Sequence, residues 1–472
     1  MKKSINQIIE YFPIPILKKD KQYNLYQNEV MNLVSFIKEY HPLPLVDGKA
    51  FASVEKQSEI LCHSLEHERT SSDFPMKLNK LLTLLHDAHT FAMPKEEAVY
   101  PFVIRYFEGS FYIYAIASSF PNCTGKIIKS INGKSIDTIT DSLTECVPSE
   151  NKIKACITGS CFFNQADFLR MIGVIKTEEI VCFTFSDGSE VCIPSASGRA
   201  TCLYHHVTIL PHPVTEKREE PFSYKIIGKI CYMQFNSMID RFTYQLGCRM
   251  TNTTINNKAS QSLPLFTDFL DEMWHEINMR KVSKLIVDMR YNGGGNSLLG
   301  NILLDFLGVS MNHIRTFKSY LRASDFLQKC YPSLFVSKEY NKRMGMLIKQ
   351  EEVVSNQFYD IPKTKKCFHG ETIFIQGQNT FSSANYMLTL IKDNALFPIV
   401  GTPTSQSPTC YGDVLPVQLP FTKNCLCISH SYFLRPNETN VEKSLFPDIA
   451  VCNSLEDRLS GVDACWEQAL EL

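Results

Sequence analysis

The sequence has no run of about 18 uncharged apolar residues, the length a membrane-spanning helix needs, so no transmembrane segment is expected. It has no basic tract either. Its 48 Lys and Arg stand against 49 Asp and Glu, for a formal net charge of −1, which removes the electrostatic footprint of a nucleic-acid partner. No CxxC pair, zinc spacing, P-loop or GxSxG elbow occurs, so neither a metal nor a cofactor is implied. Internal repeats and low-complexity segments are also missing. The opening MKKSINQIIEYFPIPIL carries two lysines, but Gln7 and Glu10 break its apolar part and no small-residue cleavage site follows. That argues against a secretion signal. Without one, the 17 scattered cysteines are expected to be free, mostly core thiols in a reduced cytoplasmic compartment. The CLC step at Cys425 and Cys427 reads as core and not as a metal site.

What is present is an ordinary globular composition over 472 residues, 44% hydrophobic and 21% charged, enough for about two to four domains. The texture changes twice along the chain. Residues 1–95 read as helical: Tyr26, Val30, Leu33, Val34 and Ile37 keep helical spacing, as do Leu78, Leu81, Leu82 and Leu85, and FASVEKQSEILCHSL adds a further helix. Residues 96–200 turn to short strands (GSFYIYAI, GKIIKSINGKSI, VCFTFSDGSEVCIP), with Asn132-Gly133 and Asp187-Gly188 where hairpin turns need positive φ. From 201 to 472, strand-like and helix-like segments alternate, which predicts an α/β core. KICYMQF and TIFIQG are strands in this reading, Leu265 to Ile277 is a helix opened by Pro264, and residues 309–370 carry no clear pattern.

Within that core, LIVDMRYNGGGNSLLGNILLDFL (Leu285 to Leu307) reads as strand, glycine turn and helix, a geometry that turns backbone N–H groups toward an anion. The dinucleotide fingerprint G-x-G-x-x-G fails: counted from Gly293 the third glycine position is Leu298, and counted from Gly295 the second is Ser297. The alternative is an oxyanion hole for acyl transfer, which needs a nucleophile elsewhere. NTFSSANYMLTLIKDN supplies one, with Ser382 between a strand and a helix start and the N–H of Ser383 next to it. A serine at such a junction also serves as a plain helix N-cap.

These segments resemble the S41 serine peptidases, the tail-specific or C-terminal processing proteases. VDMRYNGGGNS is similar to their D-x-R-x-N-x-G-G loop. TFSSAN with the later IKDNALFPIVGTPT resembles their nucleophile segment, LHDAHT their DgHT element, and FPDIAV their closing PDI-x-V. The four occur in family order from residue 85 to 451. The resemblance implies an α/β multidomain chain with three parts. These are an N-terminal helical domain (1–95), a β-rich PDZ-like module (96–200, on GKIIKSINGKSI) and a crotonase/ClpP-like S41 core (201–472). It also implies a polypeptide substrate. A PDZ-like module would bind peptide termini by strand addition, although no Gly-rich carboxylate-binding loop precedes Phe111.

A serine hydroxyl needs a general base. In the Ser–Lys branch of the family a lysine follows the nucleophile, but the corresponding position here is Ser407, and Lys392 lies on the outer face of the helix leaving the serine. The branch similar to the tricorn core uses a histidine from the N-terminal segment. His89 stands there, with His86 a rival one turn earlier. That branch has a serine just before the histidine, where this chain has Ala88, and a late glutamate, for which Glu442 is the nearest candidate and Glu438 a neighbour. By resemblance, Ser382 is the nucleophile and His89 the base. The N–H of Gly294 or Gly295 joins that of Ser383 as the oxyanion hole, and Asp288 and Arg290 fix the Gly loop. The missing lysine and serine leave a second reading open, a non-catalytic peptide- or apolar-ligand binder on the same fold. A nucleotide-binding enzyme using the Gly loop is a third.

Overall fold

The computed structural model describes residues 11–94, 100–176, 180–195, 204–335, 337–352, 362–364 and 366–472. The start of the N-terminal segment, Cys202 and both expected module boundaries lie outside the described residues.

Six strands in chain order form the central sheet: β1 (Phe222–Ile227), β2 (Ile230–Phe235), β3 (Lys284–Asp288), β4 (Glu371–Gln376), β5 (Ile399–Gly401) and β6 (Ile449–Ala450). β1 and β2 form an antiparallel pair, and every later neighbour is parallel. Parallel strands covered on both faces read as continuous apolar runs, which is why LIV in β3 shows no alternation. Leu285 and Val287 face a core made with helices Phe266–Arg280, Leu298–Phe306 and Ser383–Asp393, whereas Ile286 faces Trp466 and Ala469 of the C-terminal helix. Ala384, Met387, Leu388 and Ile391 are buried on one side of the helix after Ser382, as their spacing predicts.

A second six-stranded sheet pairs Cys410–Gln418 with Cys425–Leu434, flanked by Phe12–Pro13, Lys318–Arg322 and Leu347–Lys349. Phe91–Ala92 also joins Cys425–Leu434. The N-terminal helices α1 (Leu25–Tyr40), α2 (Gly48–Ser64) and α3 (Phe74–Leu82) do not close a core of their own. Val30, Phe36, Phe74 and Leu81 share one with Leu415, Val417, Leu426 and Ile428. That shared core fixes the segment after α3, which carries His89, against the C-terminal half of the chain.

The middle segment contains a three-stranded and a four-stranded antiparallel sheet. The Asn132-Gly133 hairpin forms with φ of 47° and 74°, and Gly188 has φ of 81°. Three helices that strand patterning alone did not reveal accompany the sheets: Ile136–Cys146, Lys152–Ser160 and Ala166–Met171. Cys182 and Cys192 face each other across a strand pair and are joined as a disulfide, so the expectation of free thiols fails for these two. Residues 309–370, patternless in sequence, include two short strands and helices Asp325–Cys330 and Lys338–Lys342. One of those strands, Lys318–Arg322, pairs with residues more than a hundred positions away, which local periodicity does not register. Among the described residues no helix is long and apolar enough to cross a membrane.

Candidate active site

Residues far apart in the chain converge at the carboxyl ends of β3 and β4, where open α/β sheets place their sites. Ser382 begins the helix after β4 with φ 54° and ψ −128°, a backbone conformation that a side-chain-bearing residue adopts only when its surroundings enforce it. Those surroundings are specific. Gln406 accepts the Ser382 N–H through Oε1, Phe381 N–H donates to Asn292 O at 3.0 Å, and Thr380 Oγ1 donates to Met289 O at 2.9 Å. The side chain makes no N-cap bond, so the serine hydroxyl points away from its own helix. Ser382 Oγ lies 3.1 Å from His89 Nε2.

The Gly loop abuts this elbow. A Cβ on Gly294 would stand 2.6 Å from Ser382 Cβ, and one on Gly295 would stand 2.3 Å from Met238 O. Both glycines have positive φ, 99° and 136°. The two amides have different fates. Gly294 N–H donates to Asn292 Oδ1 at 2.9 Å, so it is engaged within its own loop. Gly295 N–H and Ser383 N–H have no acceptor among the described residues, and Ser383 Oγ donates to Gly295 O at 2.8 Å, which holds the two together. Both loop glycines read from sequence must be small, and of the two Gly295 is the free donor. Asn292 also donates through Nδ2 to Phe235 O at 2.8 Å, so one buried amide side chain sets the loop. Asp288 and Arg290 act one layer below: Arg290 bonds Asp288 and also Asp463 at the C-terminal helix, and Tyr232 OH donates to Asp288 at 2.7 Å.

His89 comes from the turn after α3. Its backbone N–H donates to Asp87 Oδ1 at 2.9 Å, and its Nδ1 stands 3.8 Å from the same oxygen. His41 Nδ1 accepts the Leu43 N–H, so its Nε2 carries the proton and donates to Asp87 Oδ2 at 3.2 Å. Thr90 Oγ1 donates to the same oxygen at 2.5 Å. Burial would raise the Asp87 pKa, but the His41 bond and charge, His89 and Thr90 outweigh it and hold the carboxyl at about 2. Burial pushes the His89 pKa below its ordinary value against the opposing pull of Asp87. Burial thus favours the neutral imidazole, whose Nε2 faces the serine hydroxyl.

Sequence reasoning missed Asp87, Glu150 and Lys154. The first was legible as the D of LHDAHT. The other two lie on and before the helix Lys152–Ser160, which the strand reading of the middle segment passed over. Glu150 Oε1 accepts the Ala88 N–H at 3.2 Å while its Oε2 is buried without a partner. Burial, with Asp87 nearby, raises its pKa to about 8. Lys154 Nζ sits 3.9 Å above the Phe381 ring, which in turn lies 4.7 Å from the His89 ring. Ligand-type atoms of Asp87, His89 and Glu150 lie within 4.8 Å of one another and could hold a cation, but Asp87 is saturated by donors and His89 Nε2 faces Ser382.

The structure does not bring Glu442 to the histidine. Its side chain is exposed and accepts from Asn440 Nδ2 at 2.9 Å, because residues 437–443 form a polar surface turn, and Glu438 pairs with Lys318 at 2.5 Å. The carboxylate beside the histidine is Asp87. His86 is exposed and Lys392 is paired with Asp448, so neither competes with His89 as base. Ser407, at the family's lysine position, is buried with its hydroxyl 3.5 Å from Glu442 O.

Residues 229–451 match the model of Peptidase family S41. That stretch contains the Gly loop and Ser382 and begins after the segment that carries His89. The chain's enzyme class is that of the serine-type peptidases, and polypeptide is the substrate class. The fold is similar to that of mature CPAF complexed with lactacystin (TM-score 0.60, 14% identity, 94% of this chain and 97% of that one). It is also similar to mature CPAF (0.57, 15%, 94% and 95%) and to a serine-to-alanine CPAF mutant (0.59, 13%, 92% and 94%). At these identities the likeness concerns fold. Among curated protein sequences there is no match.

Proposed function

We propose that this chain hydrolyses peptide bonds through an acyl-enzyme on Ser382. The 3.1 Å contact between Ser382 Oγ and His89 Nε2 carries the reading, since a hydroxyl within hydrogen-bond reach of a neutral imidazole is the arrangement an activated serine requires. In the first step Oγ attacks the carbonyl carbon and its proton passes to Nε2. Charge building on the carbonyl oxygen meets the N–H groups of Gly295 and Ser383. His89 then gives the proton to the departing amine, and water repeats the sequence to release the acid. Asp87, fixed by His41 and Thr90, faces Nδ1 and favours the imidazolium that forms in between. It is a positioning and electrostatic residue, and it takes the part that sequence comparison gave to Glu442.

The same contact supports assignment to the histidine-using branch similar to the tricorn core over the Ser–Lys branch, since Lys392 is paired with Asp448. The middle segment fits a PDZ-like module that presents polypeptide to the cleft, and the Asn132-Gly133 strand-turn supports this. A test is turnover of an unfolded polypeptide with pre-steady-state sampling. A burst of released amine followed by slower acid release is expected in the wild type and none in Ser382→Ala. Equal turnover by both proteins would refute the assignment.

A further inference from the structure

Lysine is a poor local choice at position 154. The helix Lys152–Ser160 opens at Asn151, whose Oδ1 accepts the Lys154 N–H at 2.9 Å. Lys154 thus sits in the first turn, where the helix dipole disfavours a cation. Its side chain is half-buried, and burying an ammonium without an anionic partner is costly. Among the described residues Nζ makes no ion pair and no hydrogen bond. Glu150, the carboxyl that pulls on it, has its pKa pushed up to about 8 by burial and is mostly uncharged at neutral pH. What the ammonium does have is the face of Phe381, with Nζ 3.9 Å from the ring centroid.

Phe381 precedes Ser382 and is fixed by its N–H bond to Asn292 O at 3.0 Å, and its ring lies 4.7 Å from the His89 ring. Taken end to end, the two contacts hold the ammonium within about 9 Å of the imidazole, a range over which like charges still repel inside a protein. Other groups face the same imidazole. Asp87 stands 3.8 Å from Nδ1, with His41 and Thr90 bonded to its far oxygen. From the strand Cys410–Gln418, Asp413 and the Tyr411 carbonyl also favour the protonated ring, but Asp413 is exposed and accepts from Gln350 at 2.7 Å. The Cys410 thiol on that strand is pushed up by burial and stays uncharged. Lys154 supplies the opposing positive charge.

Resting on the hydrolase reading, we propose that Lys154 is a positioning residue of the site, whose ammonium, seated on Phe381, keeps the His89 imidazole uncharged and ready to take the serine proton. The same charge makes the imidazolium, once formed, a readier donor to the departing amine. Asp87 and Lys154 thus act on the base from opposite sides and with opposite sign. Removing Lys154 lets the ring hold its proton to higher pH, so the acid limb of the reaction moves up.

The test uses the full chain and the rate of fluorophosphonate labelling of Ser382 as a function of pH, each protein normalised to its own plateau. In Lys154→Met, which keeps the apolar stem, the acid limb is expected about half to one pH unit above that of the wild type. On the acid side of the limb, labelling then slows about three- to tenfold relative to the wild type. Lys154→Gln, a second neutral variant, moves the limb the same way, and Lys154→Arg, which keeps the charge and the ring contact, leaves it in place. A limb unmoved in both neutral variants overturns the proposal, and so does one that moves equally in Lys154→Arg. Loss of labelling at every pH in both neutral variants also overturns it, since that is a structural role. In each of these cases wild-type Ser382 still labels and the hydrolase reading stands. Folded wild-type protein that is labelled at no pH brings down both.

Discussion

At the scale of single residues, the site depends on how burial and charge compete around His89. Burial lowers its pKa and Asp87 opposes that shift. A base that must be neutral to act gives a rate that falls as pH drops through its pKa. The acid limb of activity is therefore expected below the ordinary imidazole value of about 6.5. In Asp87→Asn the opposing charge is gone, so the limb moves to lower pH, while kcat/KM falls about a hundred- to ten-thousandfold because the imidazolium loses its partner. A pH–rate profile of the two proteins checks both signs, and an unmoved limb would contradict the role given to Asp87. Gly295→Ala is expected to abolish turnover, since its Cβ would stand 2.3 Å from Met238 O and displace a free N–H donor. Ser382, His89 and the Gly loop were legible because their motifs are contiguous. The choice between Gly294 and Gly295 was not, because it turns on one hydrogen bond from Gly294 to Asn292.

At the scale of elements, two strand-to-helix turns at the ends of β3 and β4 are locked to each other. Asn292 bonds Phe235 O of β2 and Gly294 N–H, and its own carbonyl accepts from Phe381 beside the nucleophile. Asn292→Ala is expected to leave the sheet intact by circular dichroism while lowering acylation of Ser382 about a hundredfold or more, as loss of oxyanion-loop order does. Unchanged acylation would mean that the loop holds itself. Helical and parallel-strand elements were readable because their apolar periods are local. Glu442 was misplaced because a surface turn and a site loop look alike in sequence. The helix Lys152–Ser160 was missed because its polar face and short length carry little periodicity.

At the scale of the molecule, three distant regions build the proposed site: the turn after α3 gives His89, the core gives Ser382 and the loop amides, and the middle segment adds Glu150, Lys154 and Asn151. Asn151 Nδ2 donates to Lys443 O at 2.8 Å and Ser444 Oγ at 2.9 Å, which fastens that segment to the core. Glu150 links this packing to pH. Its pKa in the fold is about 8, above the ordinary carboxyl value. Its contribution to stability is therefore full below about 4.5 and is lost as pH rises toward 8. Glu150→Gln should melt close to wild type near pH 4.5 and above it near pH 8, as differential scanning fluorimetry across pH would show. An equal gap at both would rule out a titrating Glu150. The meeting of residues 89 and 382 was expected from the family resemblance alone, and no local pattern records that residue 150 joins them. Whether His89 activates Ser382 is read by fluorophosphonate labelling with the modified residue located by mass spectrometry. One adduct is expected, on Ser382, lost in His89→Ala. An adduct on another serine, an undiminished one in His89→Ala, or none on folded wild-type protein would contradict it.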